Sequence, residues 1–136
     1  MFVVILFSCV VWLICELCLS CVFICLTLTH IGFTSEALHG DKSQPERDRT
    51  MNKFREGRIR ILVATDVAAR GLDVKDMDTV VNYDFPNSVE DYVHRIGRTA
   101  RGNNVGKAFT FLTSTYVGNS RAMEELVGVL ERCNQV

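Results

Sequence analysis

The stretch Arg60-Ile61-Leu62-Val63-Ala64-Thr65, followed at once by Asp66, decides the fold class of this chain. Its apolar residues are continuous rather than alternating, which is typical of a strand in a parallel sheet covered on both faces. A polar turn directly after such a strand lies at the carboxyl edge of the sheet, where open α/β sheets bind their ligands. The stretch therefore predicts an α/β fold and the edge at which a site would lie.

Strand and helix patterns alternate on both sides of this stretch. Ser43 and Glu46 have the spacing of a capping box at the start of a helix, and Ser88 has the character of a helix N-cap. Such alternation predicts a three-layer α/β domain built on a parallel sheet. Strands are predicted at 37–38, 60–65, 79–83 and 107–112, and helices at 45–56, 88–96 and 121–132.

Charge is distributed unevenly along the 136 residues, whose formal net charge is -1. Residues 1–30 contain no Lys or Arg and a single acid, Glu16, so the rest of the chain carries 15 basic residues and equally many acidic ones. A neutral domain has no global field that attracts nucleic acid. Any binding of nucleic acid must therefore come from a local basic patch.

Residues 1–28 form an apolar run that is interrupted mainly by Glu16. As a helix this run would extend about 42 Å, enough to cross a bilayer, but a central carboxylate is costly in lipid and no basic residue flanks the run. Three interpretations compete at this point. The run is a membrane anchor, a divergent buried strand and helix, or translated non-coding sequence joined by an imperfect gene model.

Five of the six cysteines lie in the first 30 residues. The spacings Cys15/Cys18 and Cys18/Cys21 resemble CxxC zinc motifs, but zinc ligands usually lie on polar turns rather than inside a continuous apolar run. We therefore predict no metal site. The remainder of the chain contains only Cys133, so it has no disulfide framework, which suits a reducing compartment.

The segment from His94 to Arg101 reads HRIGRTAR. Arg98 and Arg101 are three residues apart, so on a helical turn their side chains face the same way. Paired guanidinium groups suit phosphate oxygens, where negative charge develops during phosphoryl transfer. A solvated basic helix end explains the charge pattern equally well when the segment is considered alone.

Four segments in this order closely resemble the C-terminal RecA-like lobe of DEAD-box ATP-dependent RNA helicases. They are LHGDKSQPERD (38–48), ILVATDVAARGLDV (61–74), VVNYDFP (80–86) and YVHRIGRTAR (92–101). The resemblance covers about residues 32–135 and is specific because the four motifs agree with one another. It implies a three-layer parallel sheet of the RecA-like, P-loop NTPase type.

The resemblance implies a nucleotide-facing set of residues. Arg98 matches a contact to the γ-phosphate of ATP, and Arg101 matches the arginine finger, so both are predicted to be catalytic. Asp73 matches the acid that meets the ATP ribose. His94 and Arg95 match positions that face the other helicase lobe and couple the two binding sites.

The resemblance also implies RNA-binding residues. Gln44 and Arg47 match a QxxR element whose arginine lies against the RNA backbone. Thr65 matches a threonine that contacts a phosphate of the RNA strand, and Arg70 and Gly71 match the turn that helps join the two sites. A neutral lobe with a small patch of this kind suits sequence-independent binding to the RNA backbone.

Departures from the family pattern qualify this function. The sequence contains no GxxxxGK[ST] P-loop, no DEAD acid pair and no upstream Gln motif. The resemblance therefore implies that ATP with Mg²⁺ is held mainly by an N-terminal lobe that this chain lacks, and that the chain alone is inactive. Residues 1–28 stand where the family has the opening strand and helix of the lobe, and their letters do not match it.

These departures lead to an expected organisation and a set of expected partners. We expect an apolar segment at 1–30, most simply explained by a gene-model artefact, and a helicase lobe at 31–136 that is incomplete at its N-terminal side. The expected partners are RNA and an N-terminal helicase lobe, for a monomer in the nucleus or cytoplasm. The alternative is a stand-alone RNA- or protein-binding lobe without catalysis, tethered to a membrane if residues 1–28 are a genuine anchor.

Overall fold

The computed structural model describes residues 10–69, 77–100, 105–114 and 120–135. The strands within these residues are β1 (Val11–Cys15), β2 (Ser35–Leu38), β3 (Ile61–Thr65), β4 (Thr79–Asn82) and β5 (Lys107–Thr110). The helices are α1 (Cys18–His30), α2 (Gln44–Arg55), α3 (Asp66–Ala69), α4 (Val89–Ile96) and α5 (Ser120–Arg132).

The five strands form one sheet in the order β2-β3-β1-β4-β5, and every neighbouring pair is parallel. Every residue of β3 is buried, as its continuous apolar pattern predicts. Separate apolar clusters cover the two faces of the sheet, one built around Trp12 and Met51 and the other around Cys21 and Phe33. The predicted α/β class with a three-layer parallel sheet is confirmed.

The position of β1 corrects one part of the expected fold. This strand lies at the centre of the sheet, with Cys15 beside Thr65 of β3 and Ile14 beside Asn82 of β4. The expectation that the lobe is incomplete at its N-terminal side is therefore wrong for the residues that form β1 and α1. The physical reason is that Val11–Cys15 is apolar throughout, as a central strand buried on both faces must be, although its letters differ from the family motif.

Helix α1 covers the sheet rather than standing apart from it. It packs mainly on β2 and β3, and its Cys21 side chain is fully buried there. This arrangement is the buried strand and helix that was one of the three interpretations of the apolar run. Within the residues described, no helix has both the length and the apolar character needed to cross a membrane.

Local signals set the helices that border the carboxyl edge of the sheet. The backbone N–H of Ser43 donates to the Glu46 carboxylate at 2.9 Å, which confirms the capping box that starts α2. The Ser88 hydroxyl accepts from the backbone N–H of Asp91 at 3.1 Å, so it caps α4 as predicted. The rings of Phe85 and Tyr92 stack with centroids 5.8 Å apart and hold α4 against the loop that follows β4.

Candidate functional site

A cleft of about 140 Å³ lies where β1 and the β3–α3 junction meet helix α4. Its apolar lining comes from β1, and its charged lining comes from the start of α3, from the length of α4 and from Arg98 just after that helix. The lining residues are Trp12, Ile14, Asp66, Asp91, His94, Arg95 and Arg98.

The Arg95 side chain forms the most buried polar contact of this cleft. Its Nε donates to Oδ1 of Asp66 at 2.8 Å, its Nη2 donates to Oδ2 of the same carboxylate, and its Nη1 donates to the carbonyl oxygen of Asp84 at 2.7 Å. Arg95 is only 6% exposed, and such forked pairs are among the stronger hydrogen-bonded contacts in proteins. Local sequence spacing alone favours Asp66 pairing with Arg70, whereas its partner in the structure is Arg95, 29 positions away.

The Arg95–Asp66 ion pair bears on the two residues that were predicted to couple the lobes, His94 and Arg95. Arg95 is engaged inside its own lobe, so it fixes α4 to the β3–α3 junction rather than presenting its guanidinium outward. His94, by contrast, is exposed at the mouth of the cleft. Contact with another lobe stays a prediction for both residues, and for Arg95 it would act through Asp66.

Arg98 supplies the cation of the cleft. It follows Gly97, the C-cap of α4, and its backbone N–H donates to the carbonyl oxygen of Arg95 at 3.2 Å, which holds the turn. Within the described part of the chain, no carboxylate forms an ion pair with the Arg98 guanidinium. Because Asp66 neutralises Arg95, the Arg98 group is suited to receive an anion.

The chain beyond Arg98 is held tightly at Thr99 and Ala100. The Thr99 hydroxyl donates to the carbonyl oxygen of Met77, and Ala100 has a φ of 57°, a conformation that costs energy for a residue with a Cβ. A Cβ added to Gly106 would stand 2.2 Å from Thr99 Oγ1, so only glycine allows this close approach. This role of Gly106 was not predicted from the sequence, because its contact with Thr99 exists only in the folded chain.

The residues predicted to bind RNA are partly brought together. Gln44 and Arg47 lie on the first turns of α2, where Arg47 Nη1 donates to Gln44 Oε1 at 3.3 Å and Gln44 Nε2 donates to Asp48 Oδ1 at 2.8 Å. Thr65 ends β3 and is 4% exposed, so a phosphate contact there requires a local rearrangement. The remaining predicted site residues, Arg70, Gly71, Asp73 and Arg101, lie outside the described residues.

Comparison with known proteins supplies the family. Residues 10–103 match the helicase conserved C-terminal domain, so β1 is included in the match. The chain is 60% identical over 104 residues to the probable ATP-dependent RNA helicase DDX17 of Homo sapiens, covering 76% of this chain and 14% of that protein. It is 61% identical over 103 residues to DEAD-box ATP-dependent RNA helicase 14 of Arabidopsis thaliana, covering 76% of this chain and 16% of that protein.

Solved structures agree with these sequence relatives. The C-terminal domain of the DEAD-box protein Dbp5 matches with a TM-score of 0.80 at 29% identity, over 99% of this chain and 76% of that one. A DEAD box protein from Methanococcus jannaschii matches with a TM-score of 0.79 at 37% identity, over 87% of this chain and 32% of that one. The chain spans less than a fifth of the length of the two sequence relatives above. It belongs to the helicase conserved C-terminal domain family, as a RecA-like C-terminal lobe of the DEAD-box RNA helicase type.

Proposed function

We propose that this lobe completes the ATP-hydrolysing site of an ATP-dependent RNA helicase. The observation that carries the proposal is the cleft at the carboxyl edge of the sheet, into which Arg98 brings a cation that no described carboxylate neutralises. Arg98 would contact the γ-phosphate of ATP, and Arg101 would act as the arginine finger. Asp73 would meet the ribose, and an N-terminal lobe would hold most of the nucleotide and its Mg²⁺.

The proposed mechanism uses charge placement rather than covalent chemistry. Negative charge spreads over the transferring phosphoryl group, and a guanidinium fixed beside it lowers the energy of the transition state. The Arg95–Asp66 pair is a positioning device, since it holds α4 against the β3–α3 junction and thereby sets where Arg98 stands. His94 is exposed beside Arg98 and would be the group that meets the opposing lobe when the two lobes close.

RNA binding would use the same edge of the sheet. Helix α2 follows β2, and Leu38 of β2 pairs with Ala64 of β3, so the carboxyl ends of the two strands lie side by side. Gln44 and Arg47 therefore stand on the edge that also carries Thr65. We propose contacts to the RNA backbone without base recognition, and strand separation that depends on ATP-driven closure of two lobes.

The test joins this chain to a nucleotide-binding lobe. The chain alone should show no RNA-stimulated ATP hydrolysis, whereas its fusion to the N-terminal lobe of human DDX17 should hydrolyse ATP when RNA is added. In that fusion, Arg98→Ala should lower kcat by about 100- to 1,000-fold, the loss typical when one preorganised donor to the charge of a transition state is removed. Arg121→Ala is the matched control, because Arg121 is 89% exposed on α5 and should leave kcat unchanged.

Two outcomes would overturn the proposal. One is ATP hydrolysis by the purified chain without any other lobe. The other is an active fusion in which Arg98→Ala and Arg121→Ala have the same kcat. An unfolded Arg98→Ala variant is recognised by its circular dichroism spectrum, and Arg98→Lys then serves as the substitute, since lysine keeps the charge but lacks the planar fork.

A stand-alone binding lobe is the second candidate function. The Gln44–Arg47 pair on α2 favours it, because this pair offers a donor group to an RNA phosphate without any need for ATP. Salt-sensitive binding of single-stranded RNA by the chain alone, lost in Arg47→Ala and in Thr65→Ala, would support this function. Unchanged affinity in both variants would exclude this patch as the RNA-binding site.

A location in the nucleus or cytoplasm and a monomeric state are proposed on family resemblance alone.

A further inference from the structure

Three metal-ligating side chains meet at the sheet edge on the α1 side. Cys18 is the first residue of α1, and His39 and Asp41 lie in the loop that follows β2. Since β1 and β2 flank β3 in a parallel sheet, their carboxyl ends meet at one edge. The sulfur, one imidazole nitrogen and one carboxylate oxygen all lie within 4.8 Å of one another.

His39 has a feature that its protein neighbours do not explain. Its side chain is 12% exposed, and its buried Nδ1 has no hydrogen-bond partner among the residues that the structure describes. The nearest carboxylate oxygen, Oδ2 of Asp41, is 3.7 Å away, too far for a hydrogen bond. A buried ring nitrogen without a hydrogen-bond partner destabilises the fold unless a ligand or an ion binds to it.

The separation between these two atoms suits a shared ion. Zinc binds nitrogen and oxygen ligands at about 2.0–2.2 Å in a tetrahedral arrangement, which places two such ligands about 3.3–3.5 Å apart. The observed 3.7 Å between Nδ1 of His39 and Oδ2 of Asp41 needs only a small contraction to reach that value. Asp41 is exposed, so its side chain is free of packing constraints that would resist the movement.

We propose that Cys18, His39 and Asp41 bind a divalent cation of the zinc class. A thiolate with an imidazole is a donor set that favours Zn²⁺ over Mg²⁺ and Ca²⁺, which prefer oxygen ligands throughout. Binding breaks the S–H bond of Cys18, releases that proton to solvent and forms the metal–sulfur bond. Three protein ligands leave a fourth position for water or for a donor from another molecule.

The other two nearby cysteines are not part of this ligand set. The thiol of Cys21 donates to the carbonyl oxygen of Val63 at 3.0 Å, and the Cys15 thiol is directed at the carbonyl oxygen of Ala64 at 3.7 Å. Both side chains are fully buried, Cys15 at the end of β1 and Cys21 on the sheet-facing side of α1. The CxxC spacing therefore does not describe the site, because Cys18 takes its partners from the loop after β2.

An ion at this position would stabilise the loop that leads into α2. The loop continues from Asp41 through Lys42 to Ser43, whose hydrogen bonds with Glu46 start the helix. Tying His39 and Asp41 to the first residue of α1 would hold the first part of this loop in place. The ion would also raise the thermal stability of the lobe, because it binds only the folded arrangement of the ligands.

The test uses Co²⁺ as the probe and Zn²⁺ as the competitor on the purified, reduced chain. We expect one Co²⁺ per chain, a thiolate-to-cobalt charge-transfer absorption in the near ultraviolet, and loss of that absorption when Zn²⁺ is added. Cys18→Ser should abolish the absorption. Asp41→Asn should weaken Co²⁺ binding by at least about tenfold, because even outer-shell partners are worth about 10–100-fold in metal affinity.

Matched variants separate this site from the other thiols and acids. Cys133→Ser removes an exposed cysteine far along the chain, and Asp48→Asn removes an exposed acid of α2, so both should bind Co²⁺ like the parent chain. Circular dichroism identifies any variant that does not fold. If Cys18→Ser unfolds, Asp41→Asn still tests the proposal, because Asp41 is exposed and its replacement should leave the fold intact. The proposal is overturned if the charge-transfer absorption persists in Cys18→Ser, or if Asp41→Asn and Asp48→Asn bind Co²⁺ with equal affinity.

Discussion

Replacing Asp66 with asparagine should destabilise the lobe more than replacing its partner Arg95 with methionine, by about 1 kcal/mol. The guanidinium of Arg95 is 6% exposed, whereas the Asp66 side chain is 32% exposed. Asp66→Asn keeps one acceptor oxygen but removes the negative charge and the second acceptor, so the buried positive charge of Arg95 is left uncompensated. Arg95→Met instead leaves a carboxylate that water can reach and puts an apolar stem where the arginine stem lay.

The magnitudes follow from this asymmetry in exposure. Removing one partner of a fully buried ion pair costs about 3–5 kcal/mol, and the partial exposure of Asp66 reduces the expected cost of Asp66→Asn to about 2–3 kcal/mol. For Arg95→Met we expect about 1–2 kcal/mol, mainly from the lost hydrogen bond to Asp84. The double variant should cost less than the sum of the two single variants, since it leaves no buried charge behind.

Urea unfolding of the purified chain, followed by circular dichroism, measures each free energy of unfolding. Glu56→Gln is the control: its ion pair with Arg58 is short, at 2.9 Å, but exposed, and should contribute less than about 1 kcal/mol. The assigned role of the Arg95–Asp66 pair is refuted if Asp66→Asn is no more destabilising than Glu56→Gln. It is also refuted if Arg95→Met costs more than Asp66→Asn.

Three further predictions concern other positions. Ala100→Gly should raise the free energy of unfolding by up to about 1 kcal/mol, because glycine adopts the φ of 57° without the strain that a Cβ causes; a lower melting temperature would contradict this. Gly106→Ala should lower the urea midpoint by the equivalent of about 1–3 kcal/mol, because its Cβ would meet Thr99 Oγ1 at 2.2 Å; an unchanged midpoint would show that the loop yields easily. Burial raises the pKa of Glu36, but hydrogen bonds from Lys53 and Thr50 outweigh it and hold that pKa below its usual value. The stability that Glu36 contributes should therefore be complete above about pH 5 and lost as pH falls through the lowered folded pKa. The difference in free energy of unfolding between the parent chain and Glu36→Gln should shrink in acid, and a difference that grows would refute the lowered pKa.

Local sequence patterns predicted the structure correctly wherever an element depends only on residues that are neighbours in the chain. The apolar run of β3, the capping box at Ser43 and Glu46, and the Ser88 cap each depend on residues within one turn or one strand, and the structure confirms all three. The order of the motifs likewise identified the family. These elements can be predicted without the tertiary structure because they arise from local hydrogen bonding and from the spacing of apolar residues.

The role of β1 could not be predicted from local sequence patterns. Val11–Cys15 was apolar enough to be a buried strand, but it stood inside a longer apolar run whose letters did not match the family motif. Three interpretations of this run were considered from the sequence, and a gene-model artefact was favoured over a membrane anchor and over a buried strand and helix. Only its pairing with β3 on one side and β4 on the other placed it at the centre of the sheet.

By itself, then, the sequence determined a parallel α/β lobe of helicase type and the segments that carry its motifs. The tertiary structure alone decided that Arg95 is buried on Asp66 while Arg98 faces the cleft, and that Cys18 meets His39 and Asp41. The reason is that strand order, not chain order, sets which carboxyl ends are neighbours. Residues far apart in the chain become partners only once β1, β2 and β3 lie side by side.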